Sequence, residues 1–195
     1  MKKITILIQV FLLFGWVNSF SQSAKNDIKF TISALPLFGS SDEFSSGING
    51  YVLKPSIGYY ISEKTSIELN FTYATFNNLK VATIDAFYNS YAITPVLRNN
   101  FVNKKKIRLF AEIGFGLGTI KYSPDNSNFR IAEFDNLSGG ISVLNIGIGG
   151  NYYFNEKIGL ELIIPYINTT NITSRKSTNL YSGIGPTIGL TFLLN

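Results

Sequence analysis

Six charged side chains stand out by where they fall: Lys54, Glu68, Arg98, Arg108, Glu112 and Glu161 interrupt segments that are otherwise apolar or rich in glycine. All six take the parity of small residues rather than that of bulk. Three cations and three carboxylates gathered on one face can neutralise one another as an internal ion network, or line a narrow path for ions. In either case they must pair, because a charge enclosed without a partner is costly. Arg108 or Lys54 is therefore expected to meet Glu112, Glu68 or Glu161. A structural plug is the plainer chemistry for such a network, and a gate the sharper one.

Other chemistry has less to stand on. The chain has no histidine and no cysteine. That removes the commonest general base, the usual transition-metal ligands, disulfides and a thiol for lipid attachment, which argues against an enzyme. No cofactor is indicated. Asp125 and Glu133, in a polar stretch, could hold Ca²⁺, although solvated carboxylates are the commoner case. Gly114-Phe115-Gly116-Leu117-Gly118 follows strand alternation and opens no helix, so it is not a phosphate loop. The run Lys104-Lys105-Lys106 reads as a solvated turn, and contact with a periplasmic partner or a phospholipid surface would also suit it.

The charges need elements to hold them, and the chain begins with a segment that does not. Lys2 and Lys3, the uncharged run Ile4 to Val17, and the small and polar residues Asn18 to Gln22 follow the order of a secretory signal peptide. The apolar run is short for a transmembrane helix. The expected division is a signal peptide over 1–21, cleaved near Ser21, and one domain over 22–195. Cleavage takes the basic count from 17 to 15 against 12 acidic residues. That mild, dispersed excess does not point to nucleic acid.

Beyond the leader the sequence reads as eight long strands: Ile28–Phe38, Tyr51–Ile61, Ser66–Phe76, Phe87–Val102, Ile107–Tyr122, Gly140–Phe154, Ile158–Ile167 and Leu180–Leu194. They exceed the five or six residues usual in soluble sheets. Short turns at 62–65, 103–106 and 155–157 alternate with polar stretches at 39–50, 77–86, 123–139 and 168–179. Tight turns on one rim and long loops on the other describe an up-and-down membrane barrel, with the short side in the periplasm.

The direction of the alternation decides between membrane and water. Ile67, Leu69, Phe71 and Tyr73 oppose Glu68, Asn70 and Thr72; Ile107, Leu109, Ala111, Ile113, Phe115 and Leu117 oppose Arg108, Glu112, Gly114, Gly116 and Gly118. In the sixth and eighth strands Leu144, Ile146, Ile148, Ile184, Ile188 and Leu190 face away from Asn145, Gly147, Gly149, Gly183, Gly185 and Gly189. A soluble barrel puts bulk inside and charge outside. Here glycine and charge belong in a narrow lumen, and the bulk faces lipid.

Aromatics fall where interfacial girdles belong. Tyr59, Tyr60, Tyr152, Tyr153, Phe154 and Phe192 lie toward the short turns; Tyr51, Tyr73, Phe76, Phe87, Tyr88, Tyr166 and Tyr181 lie toward the long loops. Pro36, Pro55, Pro95, Pro165 and Pro186 run against the assignment, since proline cannot donate to a ladder and a closed barrel has no free edge. They are expected at bulges or rims.

These features together resemble the small bacterial outer-membrane β-barrel proteins: the OmpA-type transmembrane domain and OmpX, and more closely the PorT-like outer membrane protein beta-barrel domain group. The local element of the likeness is the C-terminal segment containing Thr187, Gly189, Leu190, Phe192 and Leu194, which resembles the signal read by the barrel-assembly machinery. The chain ends in Asn195 where the family commonly has Phe or Trp. The resemblance implies an eight-stranded antiparallel transmembrane barrel in outer-membrane lipid; enzymes with such barrels use a catalytic histidine, which this chain lacks. An envelope-structural or surface-interaction role through the long loops is the leading expectation, with an extracellular or periplasmic partner left unnamed. A narrow channel for small solutes and an accessory role in protein secretion stand as alternatives. A soluble barrel binding an apolar ligand would need the inverse faces.

Overall fold

A computed structural model describes residues 26–41, 44–81, 84–124, 138–173 and 178–194. The expected signal peptide and the Asp125 and Glu133 pair lie outside the described residues. The strands are β1 (Ile28–Ser41), β2 (Phe44–Tyr60), β3 (Thr65–Val81), β4 (Ile84–Asn103), β5 (Ile107–Pro124), β6 (Gly139–Tyr153), β7 (Ile158–Asn171), β8 (Thr178–Ile184) and β9 (Thr187–Leu194). Each pairs antiparallel with the next through β7. β8 and β9 are two halves of one stave, interrupted at Gly185 and Pro186, and they lie between β7 and β1. The result is a closed eight-stave barrel. Closure leaves no strand edge, which is what a backbone in hydrocarbon requires.

Several strands are longer than expected, by several residues toward the long-loop side and by no more than one at the short turns. The β1–β2 ladder continues past Phe38 to Ser41 and Phe44, and the β3–β4 ladder past Phe76 to Val81 and Ile84. Much of the polar sequence expected as loop at 39–50 and 77–86 is therefore paired strand. Serine and asparagine lower strand propensity only weakly, and the ladder bonds are made by backbone whatever the side chain. Composition marks where the membrane ends there, not where the strand ends.

The prolines are accommodated by missing rungs. Proline has no amide hydrogen to donate. The β2–β3 ladder skips from Leu53–Tyr73 to Ser56–Asn70 beside Pro55. The β4–β5 ladder skips from Ile93–Leu117 to Val96–Gly114 beside Pro95. Pro36, Pro165 and Pro186 converge on one seam. There β1 lacks rungs between Ala34–Ile188 and Ser40–Ser182, and β7 lacks them between Ile163–Thr187 and Tyr166–Ile184. The wall stays closed at this seam: a methyl added at Gly185 would lie 3.1 Å from the Pro36 carbonyl oxygen.

The two faces separate as the alternation requires. Outward positions carry Ile113, Phe115, Leu117, Ile146, Ile148, Ile184 and Ile188, all about half exposed or more. On a water-soluble monomer an apolar band of this extent would be an interaction liability; around a barrel it is the surface that lipid covers. Lys29, Glu68, Arg98, Arg108, Glu112 and Glu161 point inward and are buried. Among the described residues Lys121, near the long-loop end of β5, is an outward charge.

Candidate functional site

The inward charges converge in the half of the lumen nearer the short turns. Register brings Arg98 of β4 directly opposite Glu112 of β5 and, on its other side, opposite Ser66 of β3. From there the Arg98 guanidinium reaches across the barrel. It approaches Glu112 Oε2 at 2.6 Å, Glu161 Oε2 of β7 at 2.6 Å and Glu68 Oε1 of β3 at 3.2 Å. Its carbon lies 3.7 Å from the centre of the Phe110 ring. The lumen has space for these groups because facing residues are small: a methyl on Gly58 would come within 2.7 Å of Glu68 Cγ, and one on Gly149 within 2.8 Å of Phe110 Cζ.

Two lysines complete the network. Lys29 Nζ is 2.6 Å from Glu68 Oε1 and 3.4 Å from Glu161 Oε2, and Lys54 Nζ is 3.8 Å from Glu112 Oε1. Neutral donors take remaining lone pairs: Ser66 Oγ donates to Glu68, Asn145 Nδ2 to Glu112 and Asn151 Nδ2 to Glu161. Three cations thus meet three carboxylates at a site where only Lys54 keeps some contact with solvent. Charge-assisted bonds of this kind are the strong ones, and their worth here lies in the cost of breaking any of them.

The pairing differs from the sequence expectation in two respects. Arg98, not Arg108, is the hub. Arg108 Nη1 instead donates to the Tyr60 hydroxyl at 3.2 Å, and its guanidinium lies 4.7 Å from the Tyr153 ring centre. Lys54 does meet Glu112. Lys29, absent from the sequence-derived set, is fully buried and bridges two carboxylates. The physical reason is stagger: parity decides that a side chain enters the lumen, but strand offset decides at which height.

Below the network Tyr60, Tyr153 and Leu193 form a buried cluster around Arg108. At this rim burial holds the Asp27 carboxyl above its ordinary range, and Arg108 partly opposes the effect. Tyr60, Tyr153, Tyr88 and Tyr181 were expected in the girdles; all four point inward and fill the lumen. Tyr51, Tyr59, Tyr152, Phe154 and Tyr166 do face outward. Phe76 and Phe87 have side chains outside the described residues.

Toward the long loops the inward positions become apolar, with Leu35, Val52, Ile120, Ile141, Val143 and Tyr181 in one buried cluster. Between the two fillings lies a small cavity of about 30 Å³, lined by Lys54, Thr94, Asn145 and Thr187 with Leu35 and Val52. Thr94 Oγ1, Asn145 Oδ1 and Thr187 Oγ1 are buried without a hydrogen-bond partner.

The C-terminal segment forms β9. Thr187 and Gly189 face the lumen, Leu190 and Leu194 face outward, and Phe192 is half-buried against Phe30 and Ile158 of the two neighbouring strands.

No protein-family model matches the chain, and no curated protein matches it in sequence. Solved structures do. Neisserial surface protein A is 15% identical, with 85% of this chain and 96% of that one covered at a TM-score of 0.57. The outer membrane protein OprG from Pseudomonas aeruginosa is 12% identical, with 91% and 100% covered at 0.58. The N-terminal β-barrel domain of OprF, also from Pseudomonas aeruginosa, is 16% identical, with 89% and 100% covered at 0.52. At such identities the likeness is one of fold, and the fold is that of the small, eight-stranded outer-membrane β-barrels.

Proposed function

We propose that this chain is a non-enzymatic outer-membrane barrel with a plugged lumen, serving envelope integrity or surface interaction through its long loops. The observation that carries the reading is Arg98, buried and held between three carboxylates contributed by three other strands. An ion crossing the barrel would have to separate Arg98 from Glu112, Glu68 or Glu161 in a low-dielectric space. The apolar cluster toward the long loops blocks the same route a second time. A barrel closed in this way supplies rigidity and display rather than passage. Outer-membrane lipid is its solvent, and on this reading β9, with Thr187, Gly189, Leu190, Phe192 and Leu194, is what the barrel-assembly machinery reads during insertion.

Planar-bilayer conductance of the refolded mature protein, with Glu112→Ala beside it, tests this. The wild type is expected to be silent while remaining heat-modifiable on gels. Discrete wild-type openings that Glu112→Ala alters would overturn the plug and make the lumen charges a gate for small solutes.

A further inference from the structure

A second concentration of charge lies outside the lumen. The three short turns carry Lys64, then Lys104, Lys105 and Lys106, then Lys157, against Glu63 and Glu156, for a net charge of +3. In the sequence, the long polar stretches 39–50, 77–86, 123–139 and 168–179 carry six acidic and four basic residues. The short turns and the long polar stretches therefore differ in sign.

The backbone of the basic rim is fixed while its side chains are free to extend. Asn100 N–H donates to the Lys64 carbonyl at 2.6 Å, Tyr153 N–H to Lys106 at 2.8 Å, and Leu193 N–H to Lys157 at 2.7 Å. Ser62 Oγ accepts from the Lys64 and Thr65 amides, and Asn155 Oδ1 from those of Lys157 and Ile158. Lys64, Lys105, Lys106 and Lys157 are exposed. Lys105 and Glu156 approach to 4.0 Å with both side chains about two-thirds exposed, a pairing that holds neither firmly.

Outward-facing Ile61, Phe101, Ile107, Tyr152, Phe154 and Ile158 lie within a few residues of these lysines. At about 3.3 Å of rise per residue, the ammonium groups reach no more than about 10 Å beyond the apolar band, the depth of a lipid phosphate layer. The turns also sit two strands apart around the barrel instead of gathering on one side. A ring of lipid headgroups around the barrel meets all three turns at the same depth.

We propose that this rim binds the phosphate groups of anionic phospholipids in the leaflet on the short-turn side. Long lysine stems lying along the apolar band place the charge at headgroup level, and each added lysine near an anionic surface strengthens attraction. The binding does not depend on whether the lumen conducts.

The test uses the full mature protein in micelles doped with equal phosphatidylglycerol and phosphatidylcholine, with co-retained lipid counted by native mass spectrometry. Phosphatidylglycerol should be enriched about fivefold or more at low salt and approach parity at high salt, as screening requires. K104Q/K105Q/K106Q should remove most of the enrichment, K64Q/K157Q about half, and Lys121→Gln on the far side none. Heat-modifiable migration verifies that each variant is folded, and the second variant leaves the 103–107 turn untouched. Parity in the wild type overturns the proposal. Enrichment that survives both multiple variants overturns it as well.

Discussion

The two halves of the lumen are built from one alternation and filled in opposite ways. Toward the short turns, inward positions hold Lys29, Glu68, Arg98, Glu112 and Glu161; toward the long loops they hold Leu35, Val52, Ile120 and Ile141. The outer wall is the same apolar band around both. The apolar half gains from each contact separately, so its losses should be graded. The charged half is an all-or-none arrangement, because removing one ion strands the others in a space that water does not reach. Inward burial therefore says little about how a position will respond to substitution; the completeness of its partners says more.

The largest expected effect is at the hub. Arg98→Met leaves three buried carboxylates without their shared cation, and should cost about 3–5 kcal/mol. Urea unfolding followed by gel mobility or far-ultraviolet circular dichroism would read it, since the single tryptophan, Trp16, lies in the expected signal peptide. Adding Glu112→Gln to that variant should restore part of the loss, because the second change removes one stranded charge. A cost below about 1 kcal/mol for Arg98→Met would break the contrast between the halves.

In the apolar half, Ile141→Ala should cost about 2–3 kcal/mol through the cavity it leaves, and it should not interact with any lumen-charge substitution. Strong coupling to Glu112→Gln would mean that the two fillings act as one.

The smallest effect sharpens the boundary between them. Thr187 and Thr191 share a strand and a face, but Thr191 Oγ1 is bonded to Thr31 and Asn151, whereas Thr187 Oγ1 has no partner. Thr191→Val should cost about 1 kcal/mol, and Thr187→Val should be neutral within about 0.5 kcal/mol or stabilising. Equal costs in the same urea titration would show that the hydroxyl of Thr187 is satisfied after all.

Much of the site was legible before any coordinates. The inward parity of Lys54, Glu68, Arg98, Arg108, Glu112 and Glu161 follows from period-two alternation, and all six point into the barrel. Lys29 carried the same signal, since Ile28, Phe30 and Ile32 oppose Lys29, Thr31 and Ser33; a charge at a strand's second residue is easily taken for rim. The tyrosines divided less cleanly. Tyr59 and Tyr60, or Tyr152 and Tyr153, are adjacent, so one of each pair must face inward. Aromatic composition near a rim does not say which.

The linear order of residues was sufficient for the architecture: strand count, turn and loop asymmetry, and which face meets lipid are local properties of the chain. Partner choice was not. Arg98 joins Glu112 of the next strand to Glu161 three strands further on in the sequence, and Arg108 turns to tyrosine rings, because stagger around a closed barrel sets the height at which each side chain enters. The same holds for the prolines, whose missing donors are tolerated only because neighbouring ladders skip rungs beside them. Closure couples residues far apart in the chain, and no pattern read along it contains that offset.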